Sequence, residues 1–221
     1  MKLEEMYEPV KEKLISLGRT GLVCDIDDCI CETQIYMARE LISKYGCPEN
    51  LSAEEVIFKY KTMRNIPYWK DKEAIDFEKE IYNDPEKRIK IGPIKGSREA
   101  LIKLDEKIPI RGYLTGRPRY LEQMTNIWID RERMPNKGVG VILGPNDDEL
   151  DKLGITRDSF KPRLLEYLYP EVSGLIEDYL EIAKLVKPEY KGKIYLLGHE
   201  EGINQDNIIP CKDWNNLISK L

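Results

Sequence analysis

Apolar residues recur along this chain at two periods, and the switching between them sets the expected fold. Leu3, Met6, Tyr7, Val10, Leu14 and Leu17 fall at helical spacing and Gly18 ends the run, so residues 2–17 read as a helix packed on the outside of the core. Then the period breaks. Leu22–Cys24 is a short apolar run without polar alternation that leads into Asp25, Ile26, Asp27 and Asp28. A run of that kind fits a strand buried on both faces of a parallel sheet, here Leu22–Ile26.

Residues 32–92 carry only the helical period. Thr33–Tyr45 reads as one helix, stopped by Gly46. Ser52-Ala53-Glu54-Glu55 is a capping box for a second, running to about Thr62, and Asp71–Tyr82 is a third. From Pro93 short apolar runs alternate with helical segments. Strands are expected at Ile108–Leu114, Val139–Leu143, Gly174–Ile176, Lys193–Leu197 and Asn207–Pro210. Helices are expected at Ser97–Leu104 with Ser97 as N-cap, Arg119–Arg131, Lys161–Leu168 with Pro162 in its first turn, Leu180–Val186 and Asp213–Leu221. Asp147-Asp148-Glu149 reads as an acidic turn. Strands alternating with helices mean βαβ units. The expected fold is therefore α/β: a Rossmann-like parallel sheet core flanked by helices (residues 1–31 and 93–221), with a small all-helical insert after the first strand (residues 32–92).

Composition narrows the function. The 221 residues carry a net charge of −5, which disfavours a nucleic-acid binder, since such proteins show a basic face. The opening Met1-Lys2-Leu3-Glu4-Glu5-Met6 lacks the apolar core of a signal peptide, and no stretch has the length of a membrane span. Five cysteines, none in a CxxC pair, make a zinc framework or disulfide scaffold unexpected and a reducing cytoplasm the expected setting.

Polar groups of chosen types recur at the strand ends: Asp25 and Asp27 after the first strand, Thr115 after the second, Glu177 and Asp178 after the fourth, with Lys161 just before that strand. Ligands in open α/β sheets bind at the carboxyl ends of the strands. Clustered carboxylates need an opposing charge, and a divalent cation such as Mg²⁺ supplies it. Phosphoryl transfer asks for such a set: a nucleophilic carboxylate, a metal and a cation against the anionic oxygens, a hydroxyl donor, and an acid/base.

Cys24-Asp25-Ile26-Asp27-Asp28-Cys29 resembles the first motif of the haloacid dehalogenase-like hydrolase superfamily, an apolar strand followed by Asp-x-Asp. Tyr113-Leu114-Thr115-Gly116-Arg117 is similar to its second motif, Lys161 to the lysine of the third, and Leu175-Ile176-Glu177-Asp178 to the acidic fourth. The resemblance covers residues 21–221. It implies Asp25 as nucleophile and Mg²⁺ ligand, and Asp27 as general acid/base whose carbonyl also meets the metal. It further implies Thr115 as phosphoryl donor, with Gly116 and Arg117 beside it at the substrate, Lys161 as partner of Asp25 and the phosphate, and Asp178 as the remaining metal ligand. Glu177 either flanks that ligand or shares the metal. An acid at position 27 points to the phosphatase branch, since the dehalogenase branch lacks it. Residues 32–92 fall where the superfamily places its helical C1 cap. Cys29 departs from the usual Thr or Val.

The resemblance therefore implies a Mg²⁺-dependent phosphatase acting on a small phosphorylated metabolite, a nucleoside monophosphate or a sugar phosphate, without nucleic acid or membrane as partner. A phosphotransferase or mutase, and a non-catalytic metal-binding regulatory module, are the alternatives. Arg117 is balanced between substrate contact and solvated turn, His199 reads as structural, and the cysteines near Asp25 as packing residues. Tyr60, Lys61, Arg64, Tyr68, Trp69 and Lys70 mix aromatic and basic groups, either a face for a base or sugar or a solvated helix rim.

Overall fold

The computed structural model describes residues 2–200 and 205–221. Contacts divide the chain into two compact units, one of Met1–Ile30 with Ile94–Leu221, the other of Cys31–Pro93.

The larger unit is a six-stranded, all-parallel sheet flanked by helices. In chain order it comprises α1 (Leu3–Ser16), β1 (Gly21–Cys24), α6 (Ser97–Lys107) and β2 (Ile110–Pro118). It continues with α7 (Glu122–Arg131), β3 (Val141–Gly144), α8 (Asp147–Leu153), α9 (Arg157–Leu168), β4 (Val172–Glu177), α10 (Leu180–Leu185), β5 (Lys193–Leu197), β6 (Ile208–Cys211) and α11 (Trp214–Ser219). The strand order is β3-β2-β1-β4-β5-β6. Chain direction across the sheet therefore reverses at β1, the doubly wound arrangement whose switch point opens a crevice at the strand ends. Cys24 stands opposite both Tyr113 of β2 and Ile176 of β4, so the residues following β1 emerge between two neighbouring strands.

The core is a continuous apolar layer. Val23, Leu114, Leu175, Ile194 and Leu196 of the strands pack with Phe160, Leu164, Leu165 and Leu168 of α9. Each fully buried leucine of this kind contributes roughly 1.5–3 kcal/mol. Helix α1 joins that layer through Leu3, Tyr7 and Leu14, and the Tyr7 hydroxyl donates to the Leu143 carbonyl at 2.5 Å. Gly174 is required by close approach: a Cβ there would stand 2.4 Å from the Lys193 carbonyl oxygen of the adjacent strand.

Several local expectations are corrected. Helix α9 begins four residues before Lys161, because Thr156 and Ser159 cap it reciprocally, so Lys161 and Pro162 lie inside the helix and not in its first turn. Ser97 is not an N-cap: Gly96 takes that place at φ +83, and the Ser97 hydroxyl donates to Ile94. Asp147-Asp148-Glu149 opens α8, capped by Asn146 and Glu149, where a turn was expected. Strand β2 runs past Thr115 to Pro118, with a register shift between those two residues.

The second unit is helical, with α2 (Thr33–Tyr45), α3 (Ala53–Tyr60), α4 (Lys72–Asn83) and α5 (Pro85–Arg88). The capping box at Ser52 and Glu55 forms as the sequence implies. Its own core gathers Met37, Leu41, Val56, Ile66, Trp69 and Ile81. Tyr68 and Trp69 meet edge to face at 5.0 Å, so the aromatic groups of this unit pack on one another. Among the described residues no helix is long and apolar enough to cross a membrane.

Candidate functional site

The site is built where β1, β2 and β4 end. The Asp25 amide donates to the Ile176 carbonyl at 2.8 Å, a last ladder bond that fixes the first carboxylate beside β4. Asp27 follows, and the chain then turns through Asp28, whose φ of +61 is the left-handed conformation. That turn leads to Cys29 and Ile30, both buried.

Lys161 reaches the same place from α9. Its ammonium is buried, 2.8 Å from Asp25 Oδ1 and 2.9 Å from Glu177 Oε2. The contact to Glu177 is a hydrogen bond. The contact to Asp25 is a close ion pair without hydrogen-bond alignment, so Asp25 Oδ1 is buried with no hydrogen-bond partner. Glu177 Oε1 accepts the backbone N–H groups of Asp178 and Tyr179 at 3.2 and 3.1 Å. Glu177 is thereby anchored at both oxygens, and it braces the lysine.

Asp178 also approaches Asp25. Carboxylate oxygens of Asp25 and Asp178 and the Cys29 sulfur all fall within 4.8 Å of one another. The Cys29 thiol donates to Asp178 Oδ1 at 3.6 Å. His199 touches the Asp178 carbonyl through Nε2 at 3.2 Å.

The register shift in β2 redirects Arg117. Its guanidinium is wholly buried and forks Asp27, Nη2 to Oδ1 at 2.7 Å and Nε to Oδ2 at 3.0 Å. Its Nη1 also donates to Thr125 at 3.4 Å, and its amide donates to the Thr115 hydroxyl at 3.2 Å. A planar fork on two carboxylate oxygens is the strongest common ion-pair geometry. Burial removes the solvated-turn alternative for Arg117. The Gly116 carbonyl accepts from Arg157 at 2.7 Å.

Charge at the site is unbalanced. One ammonium faces the carboxylates of Asp25, Glu177 and Asp178. Burial pushes the Asp25 carboxyl up to about 8, with Lys161 pulling down and Glu177 and Asp27 adding to the rise. Burial likewise holds Asp178 well above the carboxylate range, reinforced by Glu177, Asp28 and Asp25. Burial opposes the charge on Lys161, yet Asp25 and Glu177 outweigh it and raise the lysine. The Cys29 thiol is raised by burial and then by the neighbouring Cys24 and Asp178. A divalent cation between Asp25 and Asp178 would relieve this surplus. The two carboxylates fit Mg²⁺; the thiol does not, since Mg²⁺ takes oxygen ligands.

The structure thus brings Asp25, Lys161 and Asp178 to one place, and joins Asp27 to Thr115 through Arg117. Motif reading missed the bracing by Glu177, the Arg117 fork and the contact of His199. A buried arginine in a strand carries no periodic signal, and the fork depends on a register shift that no residue type announces.

No protein-family model and no curated protein sequence matches the chain. Several solved structures are similar to it. One is an L-2-haloacid dehalogenase, 12% identical, covering 92% of this chain and 99% of its own, with a TM-score of 0.48. A subfamily IA HAD-superfamily hydrolase from Geobacter sulfurreducens is 14% identical over 91% of this chain and 96% of its own, at 0.48. A HAD family hydrolase from Deinococcus radiodurans, solved with phosphate and sodium bound, is 13% identical over 87% of this chain and 91% of its own, at 0.49.

Proposed function

We propose that the chain is a Mg²⁺-dependent phosphatase of the haloacid dehalogenase-like hydrolase superfamily, hydrolysing a small phosphomonoester through a phosphorylated Asp25. The observation that carries this reading is the contact of Lys161 with both Asp25 and Glu177, which gives a buried carboxylate a fixed cationic partner.

Asp25, Asp178 and the Asp27 carbonyl would hold the metal, which when bound supplies charge neutralisation for the phosphoryl oxygens. In the first step an Asp25 oxygen forms a bond to phosphorus while the bond to the ester oxygen breaks, and Asp27 donates the proton that the leaving oxygen needs. In the second, Asp27 takes a proton from water, the water oxygen bonds to phosphorus, and the Asp25 carboxylate is released with inorganic phosphate. Lys161 holds Asp25 and offsets the charge that gathers on phosphorus. Thr115 donates to a phosphoryl oxygen.

The Arg117 fork holds Asp27 as a carboxylate, the form that serves the water step. For the first step Asp27 must carry a proton. An acid at position 27 supports phosphoryl chemistry over carbon–halogen cleavage. The helical unit Cys31–Pro93 is proposed as the superfamily's substrate-reading insert, with a nucleoside monophosphate or sugar phosphate as the metabolite.

The test is a phosphatase screen over nucleotides and sugar phosphates, with Mg²⁺ and with chelator, on the native chain and on Asp25→Asn. Turnover that needs Mg²⁺ and falls at least about 10³-fold in Asp25→Asn supports the reading. Near-native turnover in Asp25→Asn sinks it. Metal binding with no turnover of any monophosphate would favour the regulatory module.

A further inference from the structure

We infer that Arg157, the first residue of α9, is a positioning residue that holds the Thr115 hydroxyl in place through the peptide between Gly116 and Arg117; what that hydroxyl does rests on the phosphatase reading. Both ends of this peptide are tied. Its carbonyl, on Gly116, accepts from Arg157 Nη1 at 2.7 Å, and its N–H, on Arg117, donates to Thr115 Oγ1 at 3.2 Å. With that N–H on a lone pair of Oγ1, the Thr115 hydroxyl keeps its own proton to give to a phosphoryl oxygen. Strand β3 crowds the same carbonyl, since a Cβ on Gly144 would stand 3.1 Å from the Gly116 oxygen.

Helix α9 makes this arrangement rigid. Arg157 and Lys161 are four residues apart in it, so they share a face and lie about 6 Å apart along the axis. Arg157 takes the Gly116 carbonyl, and Lys161 takes Asp25 and Glu177. Phe160, Leu164, Leu165 and Leu168 anchor the helix in the core. One helix therefore sets the spacing between the phosphoryl donor and the nucleophile. The alternative is that Arg157 serves only Asp147, which its Nη2 meets at 2.5 Å. That carboxylate is 91% exposed, and an ion pair so placed contributes little. The bond to Gly116 is charge-assisted, and the Arg157 side chain is only 29% exposed.

The test compares Arg157→Met, which removes every donor, with Asp147→Asn, which removes only the exposed pair, both in the full chain. Hydrogen exchange of the Arg117 amide, followed by NMR, should quicken at least about tenfold in Arg157→Met and stay native in Asp147→Asn. With Mg²⁺ and a monophosphate that the native chain turns over, kcat should fall about 10–10²-fold in Arg157→Met, with KM less affected. In a Thr115→Val background the same substitution should cost at most about threefold, because no hydroxyl is left to place. Unchanged Arg117 exchange, an unchanged kcat in Arg157→Met, an undiminished loss in the Thr115→Val background, or an Asp147→Asn chain that behaves as Arg157→Met would each overturn the inference. If the native chain turns over no monophosphate, the phosphatase reading falls, and the Arg117 exchange still decides whether Arg157 holds the turn.

Discussion

Glu177→Gln is the sharpest single perturbation of this site, because it keeps the volume and removes one charge. Glu177 is fully buried, so neither water nor salt can replace what it does. One of its oxygens accepts two backbone N–H groups, and the other accepts the Lys161 ammonium at 2.9 Å. A glutamine can keep the first set with its carbonyl oxygen. Its NH₂ then faces the ammonium, donor against donor. Removing one partner of a buried ion pair costs about 3–5 kcal/mol. Here Lys161 retains Asp25 at 2.8 Å, so a loss of roughly 2–4 kcal/mol is expected. For a chain of this length each kcal/mol moves Tm by about 2–4 °C, which gives a fall of roughly 4–16 °C. Thermal unfolding followed by circular dichroism measures it. On the proposed phosphatase reading turnover should fall as well, with KM less affected than kcat, because the lysine that holds Asp25 loses its brace. A Tm within about 2 °C of the native value, with unchanged kcat, would refute the bracing argument.

Three further outcomes follow from the same geometry. Asp25 is raised to about 8 by burial, so the metal-free folded chain keeps a proton that the unfolded chain loses near pH 4; this contribution is full below about pH 4 and is lost as pH rises toward about 8. Urea denaturation in chelator should show that fall, and Mg²⁺ at a hundredfold over its Kd at pH 8 should restore about 2.7 kcal/mol there and less at the same concentration at pH 6; metal-free stability that rises over this range contradicts the assignment. Arg117→Lys cannot fork Asp27 and should lower kcat about 10²-fold, more for alkyl than for aryl phosphates, because the acid matters most for poor leaving groups; equal loss for both would detach Arg117 from Asp27. Gly174→Ala drives a Cβ against the Lys193 carbonyl and should cost about 1–3 kcal/mol in urea denaturation, with native stability ruling out the close approach.

The parts of this molecule that were legible in its sequence are those governed by short-range pattern. Thr33–Tyr45 and Lys193–Leu197 appear with the bounds that periodicity implies, and the Ser52 box caps its helix. The order of the carboxylates, Thr115 and Lys161 along the chain was legible, as was their placement near strand ends. The rest depends on what the third dimension adds. Helix α9 starts at Arg157 because Thr156 and Ser159 cap each other, and that local signal outweighs the proline taken to mark the start. Glu177 and Asp178 are adjacent acids of similar chemistry. Strand alternation sends one to Lys161 and the other toward Asp25, a distinction that residue type does not make.

The place of β1 in the sheet also bears on how this chain is made. Its neighbours are β2, around residue 110, and β4, around residue 172, and both are synthesised well after it. At about 5–20 residues per second, residues 25–171 occupy roughly 7–30 s of synthesis. Throughout that time the apolar strand that leads into Asp25 lacks its β4 neighbour, and α1 cannot seat Tyr7 beside Leu143 until the later segment exists. Nascent-chain aggregation, and the demand on chaperones that bind apolar segments, is therefore set by the strand at the heart of the finished sheet.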